Sequence, residues 1–333
     1  MRGTAWARLG VWFTVACWGA SFVAADALLR GAGPGSATLS PIVLGALRFS
    51  LASVCFWAPL ARALWRRELR RGHVLKMAVL GLSSYTFYFW LQYTGVADTN
   101  AAVASILVVG MIPLMTALVA SVFGRETFSL PKLLALFVGL AGVVLIVAEP
   151  HRGIVANLTP GYVFGGLCLI ANSILWAFNS TFSRVWMGER ALSPVVLTGG
   201  SMTVGALGLV VASLLVPSAP GWANVLRLSG SGWVDLVFLT GVCSVLGYFL
   251  YNFALTRLPA SEAAFYIYFE PLVAVVLGVV LLHERLAPVV VVGAGLLALS
   301  AVMMSRPGAR ASASHPVPSS EIAVSTGGVH DAD

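Results

Sequence analysis

The sequence predicts an all-α membrane protein of ten transmembrane helices arranged as two inverted five-helix repeats, and three observations predict it. Hydrophobic residues fill 59% of the 333 positions and charged residues only 10%, whereas a soluble domain carries roughly 25% charged residues to keep its surface wet. Ten apolar windows follow one another along the chain, each near the ~20 residues that a helix needs to cross a ~30 Å hydrocarbon layer at 1.5 Å per residue. Landmarks of the first five windows return in the second five.

In order, the windows span residues 9–28, 41–60, 77–96, 101–123, 133–148, 162–182, 195–216, 233–255, 260–282 and 287–304. No water reaches the backbone at that depth, so each window must satisfy its own amides as a helix; barrel strands would show about ten residues of alternation, and none is present. The first window follows Arg2 and Arg8 as a secretory signal would. Its apolar run is longer than a typical signal core, and further spans follow, which predicts a first transmembrane helix.

The formal charge of +7 is explained by where the basic residues fall, so nucleic acid is not an expected partner. Cytoplasmic loops retain Lys and Arg during insertion. With the N-terminus inside, fifteen basic residues fall in inside loops, Arg62, Arg66, Arg67, Arg70, Arg71 and Lys76 among them, against four outside, Arg30, Arg152, Arg227 and Arg285. Both termini are therefore expected to be cytoplasmic, in a multi-pass protein of the cell membrane. The segment from Arg62 to Lys76 is dense enough to touch anionic headgroups, about 1 kcal/mol per charge near the surface.

The repeat is read from spacing. Trp18 and Pro113 are 95 positions apart, and so are Trp176 and Pro271; at the same offset of 158, Glu126 falls on Glu284. The Ser-Pro pairs at Pro41 and Pro194 are offset by 153, so the copies differ by small insertions. Residues 9–148 form the first copy and 160–304 the second. An odd number of spans per copy makes the second enter the membrane in the opposite sense, the architecture from which many secondary transporters build an alternating-access pore with a site near the midplane. Pro113 and Pro271 are repeat-related helix breakers that serve as a packing kink or a gating hinge. From 305 to 333 the chain turns rich in Ser, Pro, Gly and Ala, which predicts a disordered cytoplasmic tail.

These features carry a family resemblance. WGASFVA in the first span, SPIVLGALRF leading into the second, GRETF followed by GLAGVVLIV, then ILWAFNSTFSR and YFEPLVAVVLGVVLLHERL in the second half make the chain similar to EamA-type members of the drug/metabolite transporter superfamily. The resemblance implies secondary active transport, often export, of amino acids, related small metabolites or drugs. Its partners would be a small-molecule substrate, the bilayer and a coupling ion, for which protons are a candidate. The alternative is a membrane-embedded lipid-modifying enzyme, which wants a nucleophile or metal cluster at one interface. The chain has no P-loop, HExxH or GxSxG motif. Cys17, Cys55, Cys168 and Cys243 lie in apolar runs without CxxC spacing, and the five histidines sit in loops or the tail, so neither a metal nor a cofactor is expected.

Ionisable residues inside spans are functional candidates, because a charge at a helix centre costs about 2.5 to 3.5 kcal/mol on insertion scales. Asp26, Arg48, Glu262 and Glu270 qualify. Arg48 lies roughly 10 Å down its helix and needs a partner, either Glu270 in an ion pair or a substrate carboxylate. Glu270, beside Pro271, is that partner or a proton carrier. Asp26 sits near the outer end of its span, and Glu262 reads as a solvated carboxylate at a helix start. Polar and aromatic faces recur at helical spacing: Trp18 with Ser21; Tyr85, Tyr88 and Gln92; Asn172, Trp176 and Asn179; Tyr248, Tyr251 and Asn252. They serve helix-to-helix hydrogen bonding or line a cavity for a small amphipathic solute.

Overall fold

The computed structural model describes residues 2–31, 37–98, 101–124, 129–148, 159–188, 192–215, 221–270 and 288–305. The tail from 306 onward, Pro271, Glu126 and Glu284 lie outside them. Among the described residues every regular element is helical. The helices are α1 (Arg2–Arg30), α2 (Pro41–Trp65), α3 (Arg71–Asp98), α4 (Ala101–Val122), α5 (Leu130–Ala148), α6 (Pro160–Met187), α7 (Pro194–Leu215), α8 (Gly230–Leu255), α9 (Ala260–Phe265) and α10 (Pro288–Ser305). By length and composition α2, α3, α6, α7 and α8 are each able to cross a membrane, and shorter apolar stretches lie in α4, α5 and α10.

Local chemistry sets the ends. Pro41, Pro160 and Pro194 open α2, α6 and α7, where a proline's missing N–H costs nothing. The Thr159 hydroxyl accepts from the Tyr162 amide, 3.2 Å, and caps α6. Several helices outrun the apolar windows: α2 continues to Trp65 and α3 begins at Arg71, because arginines support a helix once their charges reach water.

Packing partners are exchanged when one repeat is swapped for the other. α1 packs on α8 and α6 packs on α3; α2 packs on α7 and α5 on α10, each pair holding the same place in its repeat. Polar atoms join these contacts. Thr86 on α3 donates to the Gly205 carbonyl on α7, 2.9 Å; Ser300 on α10 donates to the Ala135 carbonyl on α5, 2.6 Å.

Both α3 and α8 contain a π-helical stretch, Leu82–Phe87 in one and Phe238–Leu246 in the other. A π turn admits an extra residue and frees carbonyls from the regular ladder. The two stretches occupy matching positions in the two repeats and flank the central cavity.

Candidate functional site

A narrow cavity of about 50 Å³ lies between α1, α2, α3, α4, α6, α8 and the segment after α9, room for a few water molecules in this conformation. Trp18, Ser21 and Ala25 line it from α1, Arg48 from α2, and Tyr88, Phe89, Gln92, Tyr93 and Val96 from α3. Val108 and Ile112 of α4, Trp176 of α6, Tyr248 of α8, and Ile267 and Glu270 complete the wall.

Close backbone approach builds the floor. The Trp18 indole donates to the Cys243 carbonyl inside the π-helical stretch of α8, 2.9 Å. A Cβ on Gly247 would stand 2.9 Å from that indole nitrogen, and a Cβ on Gly19 would stand 2.8 Å from the Glu270 carbonyl oxygen. Glycine at these two positions lets α1 lie against α8 and against the backbone at Glu270.

Repeat-related aromatics meet at the centre. Trp18 and Trp176 pack edge to face, ring centroids 5.1 Å apart. Tyr88 rests on Trp176 at 5.4 Å, and Tyr248 rests on Trp18 at 5.3 Å, so the second contact repeats the first with the repeats exchanged. Tyr85 stacks on Tyr248 at 5.1 Å, and Tyr251 touches both tryptophans.

Arg48, only 3% exposed, is held by groups other than carboxylates among the described residues. Its Nε donates to Ser244 Oγ at 2.7 Å and its Nη1 to the Tyr93 hydroxyl at 3.0 Å. The guanidinium also lies over the Phe49 and Phe89 rings, 5.0 and 5.1 Å from their centroids, within cation–π range. The ion pair with Glu270 offered by the sequence is not formed between these two described residues. Glu270, buried, lines the same cavity. Two further polar atoms at this cavity, Trp176 Nε1 and Gln92 Oε1, have no hydrogen-bond partner, which equips them to meet a polar solute.

Of the residues chosen from spacing, Trp18, Arg48, Tyr88, Gln92, Trp176, Tyr248 and Glu270 therefore share one cavity, with Tyr85 and Tyr251 behind its wall. The asparagines do not line it. Asn172 donates to the Tyr88 carbonyl at 2.8 Å, Asn252 to Thr198 Oγ1 at 2.8 Å, and Asn179 accepts from Ser183 at 3.2 Å. They join helices, or neighbouring turns of one helix. Pro113 is buried in α4 beside Ile112. The side chain of Asp26 lies outside those described. Glu262 corrects its expectation: it accepts from Arg8 at 2.9 Å across α1 and α9, partly shielded from solvent. Sequence reading missed Tyr93 and Ser244. Tyr93 follows Tyr88 by five residues and so falls off the i, i+3, i+7 face of Tyr85, Tyr88 and Gln92; Ser244, in the π-helical stretch of α8, carries no periodic signal either.

Residues 5–148 and 163–306 each match the EamA-like transporter family. The chain belongs to that family. An uncharacterized transporter of Archaeoglobus fulgidus is 26% identical over 293 residues, spanning 88% of this chain and 96% of the relative. The uncharacterized inner membrane transporter YedA of Escherichia coli is 25% identical, spanning 80% of this chain and 81% of YedA. The uncharacterized transporter YyaM of Bacillus subtilis is 24% identical over 72% of this chain and 76% of its own. A solved crystal structure, described only as that of a protein, shares the fold with a TM-score of 0.69 at 20% identity, over 90% of this chain and 96% of the other. The all-helical fold, the apolar spans and the two family matches establish a membrane protein of transporter type.

Proposed function

We propose that this protein is a secondary active transporter of the cell membrane that moves a small metabolite or drug, amino acids and related compounds first among them. It does so by alternating access between two inverted five-helix repeats of a ten-span bundle. The observation that carries this reading is the meeting of the repeat-related Trp18 and Trp176 at the wall of one cavity. Repeat-related elements that touch at a shared central cavity are what a rocking mechanism requires. Arg48 binds an anionic group of the solute, the aromatic rings take its apolar part, and Glu270 carries a coupling proton or meets a cationic group.

The two ends of the bundle differ in a way that supports alternation. At the end where α1 and α9 begin, Arg8 bonds Glu262, and Trp12 packs on Tyr266 and Phe269 with centroids 5.5 and 4.8 Å away. The cavity instead lies toward the ends of α1 and α3 and the first half of α4. With both termini cytoplasmic, the central cavity lies in the outer half of the bundle and the Arg8–Glu262 contact at the inner end, where a second cavity separates the ends of α6 and α8 and the start of α9. Family membership favours transport over the membrane-embedded enzyme.

The test is flux into vesicles reconstituted with purified protein, over a panel of amino acids and cationic drugs, with Arg48→Gln, Glu270→Gln and the double variant at equal folded amount. Each single variant is expected to lose most of the wild-type flux. If Glu270 carries the proton, Glu270→Gln abolishes pH-gradient-driven flux and spares exchange. Wild-type flux and pH dependence in both folded single variants would overturn the site.

A further inference from the structure

We propose that Ser244 is a positioning residue that aims Arg48 at the solute and so sets a preference for solutes bearing an anionic group. This rests on the reading of Arg48 as the solute's anion contact.

A guanidinium stays charged at any working pH and has five N–H donors in one plane. Buried in a membrane protein it needs acceptors, and their placement decides which edge of the fork is left for a ligand. Ser244 takes the Nε edge at 2.7 Å and Tyr93 takes Nη1 at 3.0 Å. Phe49 and Phe89 hold the plane. No acceptor among the described residues takes Nη2, and Arg48 lines the cavity.

The serine hydroxyl is itself fixed in an unusual way. Elsewhere in this protein Thr14, Thr116, Ser173 and Thr203 back-bond to the carbonyl four residues earlier, as hydroxyls in α-helices do. Ser244 instead donates to the carbonyl five residues earlier, Leu239, at 2.9 Å, the π-helical register of its segment. Its proton is committed to Leu239, so only its lone pairs face Arg48. A hydroxyl that can only accept keeps Nε bound to the wall and leaves the far end of the fork for the cavity.

The repeat supplies an internal control. Thr86 lies in the corresponding π-helical stretch, that of α3. Its hydroxyl donates to a backbone carbonyl, that of Gly205, and meets no charge. A hydroxyl of a π-helical stretch joins two helices in one repeat and seats the buried arginine in the other.

The experiment uses full-length protein in lipid nanodiscs and follows tryptophan fluorescence during titration with phenylacetate and with its neutral isostere phenylacetamide. Wild-type protein is expected to prefer phenylacetate. Ser244→Ala should shrink that preference about tenfold, the size of one hydrogen bond to a charged group, while phenylacetamide affinity stays unchanged. Ser244→Thr should restore it, whereas Thr86→Ala should not alter it. Where Ser244→Ala lowers the folded yield, Ser244→Cys, nearly isosteric and a weak acceptor, takes its place. A wild-type protein without the preference, or an Arg48→Gln variant that keeps it, overturns the reading of Arg48 and this proposal with it. A preference that Arg48→Gln abolishes and Ser244→Ala leaves intact overturns the role of Ser244 alone. Equal loss of both affinities assigns Ser244 to packing.

Discussion

The two repeats share a scaffold and differ in charge. Both place a tryptophan at the centre, Trp18 and Trp176, a tyrosine against the opposite tryptophan, Tyr248 and Tyr88, and a π-helical stretch in the third helix. Arg48 has no such counterpart. At the offset of 153 set by Pro41 and Pro194, its place in the second repeat is held by Ser201, whose buried hydroxyl has no hydrogen-bond partner. Shared parts suit a movement that must run equally well in both directions. A solute with a polar head and an apolar tail, as proposed here, would meet different groups from each side, so a group such as Arg48 need not be duplicated.

Three experiments break or sharpen this contrast, beginning with the largest effect. Trp18→Ala and Trp176→Ala each remove a buried ring, which costs about 3–5 kcal/mol in a packed core. Both are expected to lower the melting temperature in detergent and to cut flux to a similar degree; a loss confined to one repeat would end the claim of mechanical equivalence. The Arg8–Glu262 pair tests the two ends. It is part-exposed, so breaking it is expected to cost only about 0.2–1 kcal/mol. Arg8→Glu and Glu262→Arg should each make cysteines placed in α1 below Trp12 more reactive to an inside thiol reagent, and the double reversal should return them to baseline. Unchanged reactivity in both single variants would remove this pair from gating. The smallest effect is expected from the tail, which lies beyond the second family match: truncation after Arg310 should leave flux per folded molecule unchanged.

Much of this was legible in the chain because a bilayer asks simple questions of it. Helix type followed from run length and from the scarcity of charge; the duplication followed from the spacing of Trp18, Pro113, Trp176 and Pro271. The candidate cavity residues were legible for the same reason, since a polar or charged side chain in lipid stands out. That rule did not separate wall from glue. Asn172, Asn179 and Asn252 stand out as clearly as Gln92 does, yet they spend their hydrogen bonds within and between helices. Glu262 read as a solvated helix start, and its distance of 254 positions from Arg8 hid the pair.

The sequence by itself determined the helical membrane fold, the duplication and the family, because each depends on composition, periodicity or order along one chain. Only the tertiary structure decided what Arg48 holds. Ser244 and Tyr93 lie 196 and 45 positions away from it, and the acceptor that faces its Nε sits in a π-helical stretch of α8 packed against α1 and α2, a juxtaposition that no local pattern encodes.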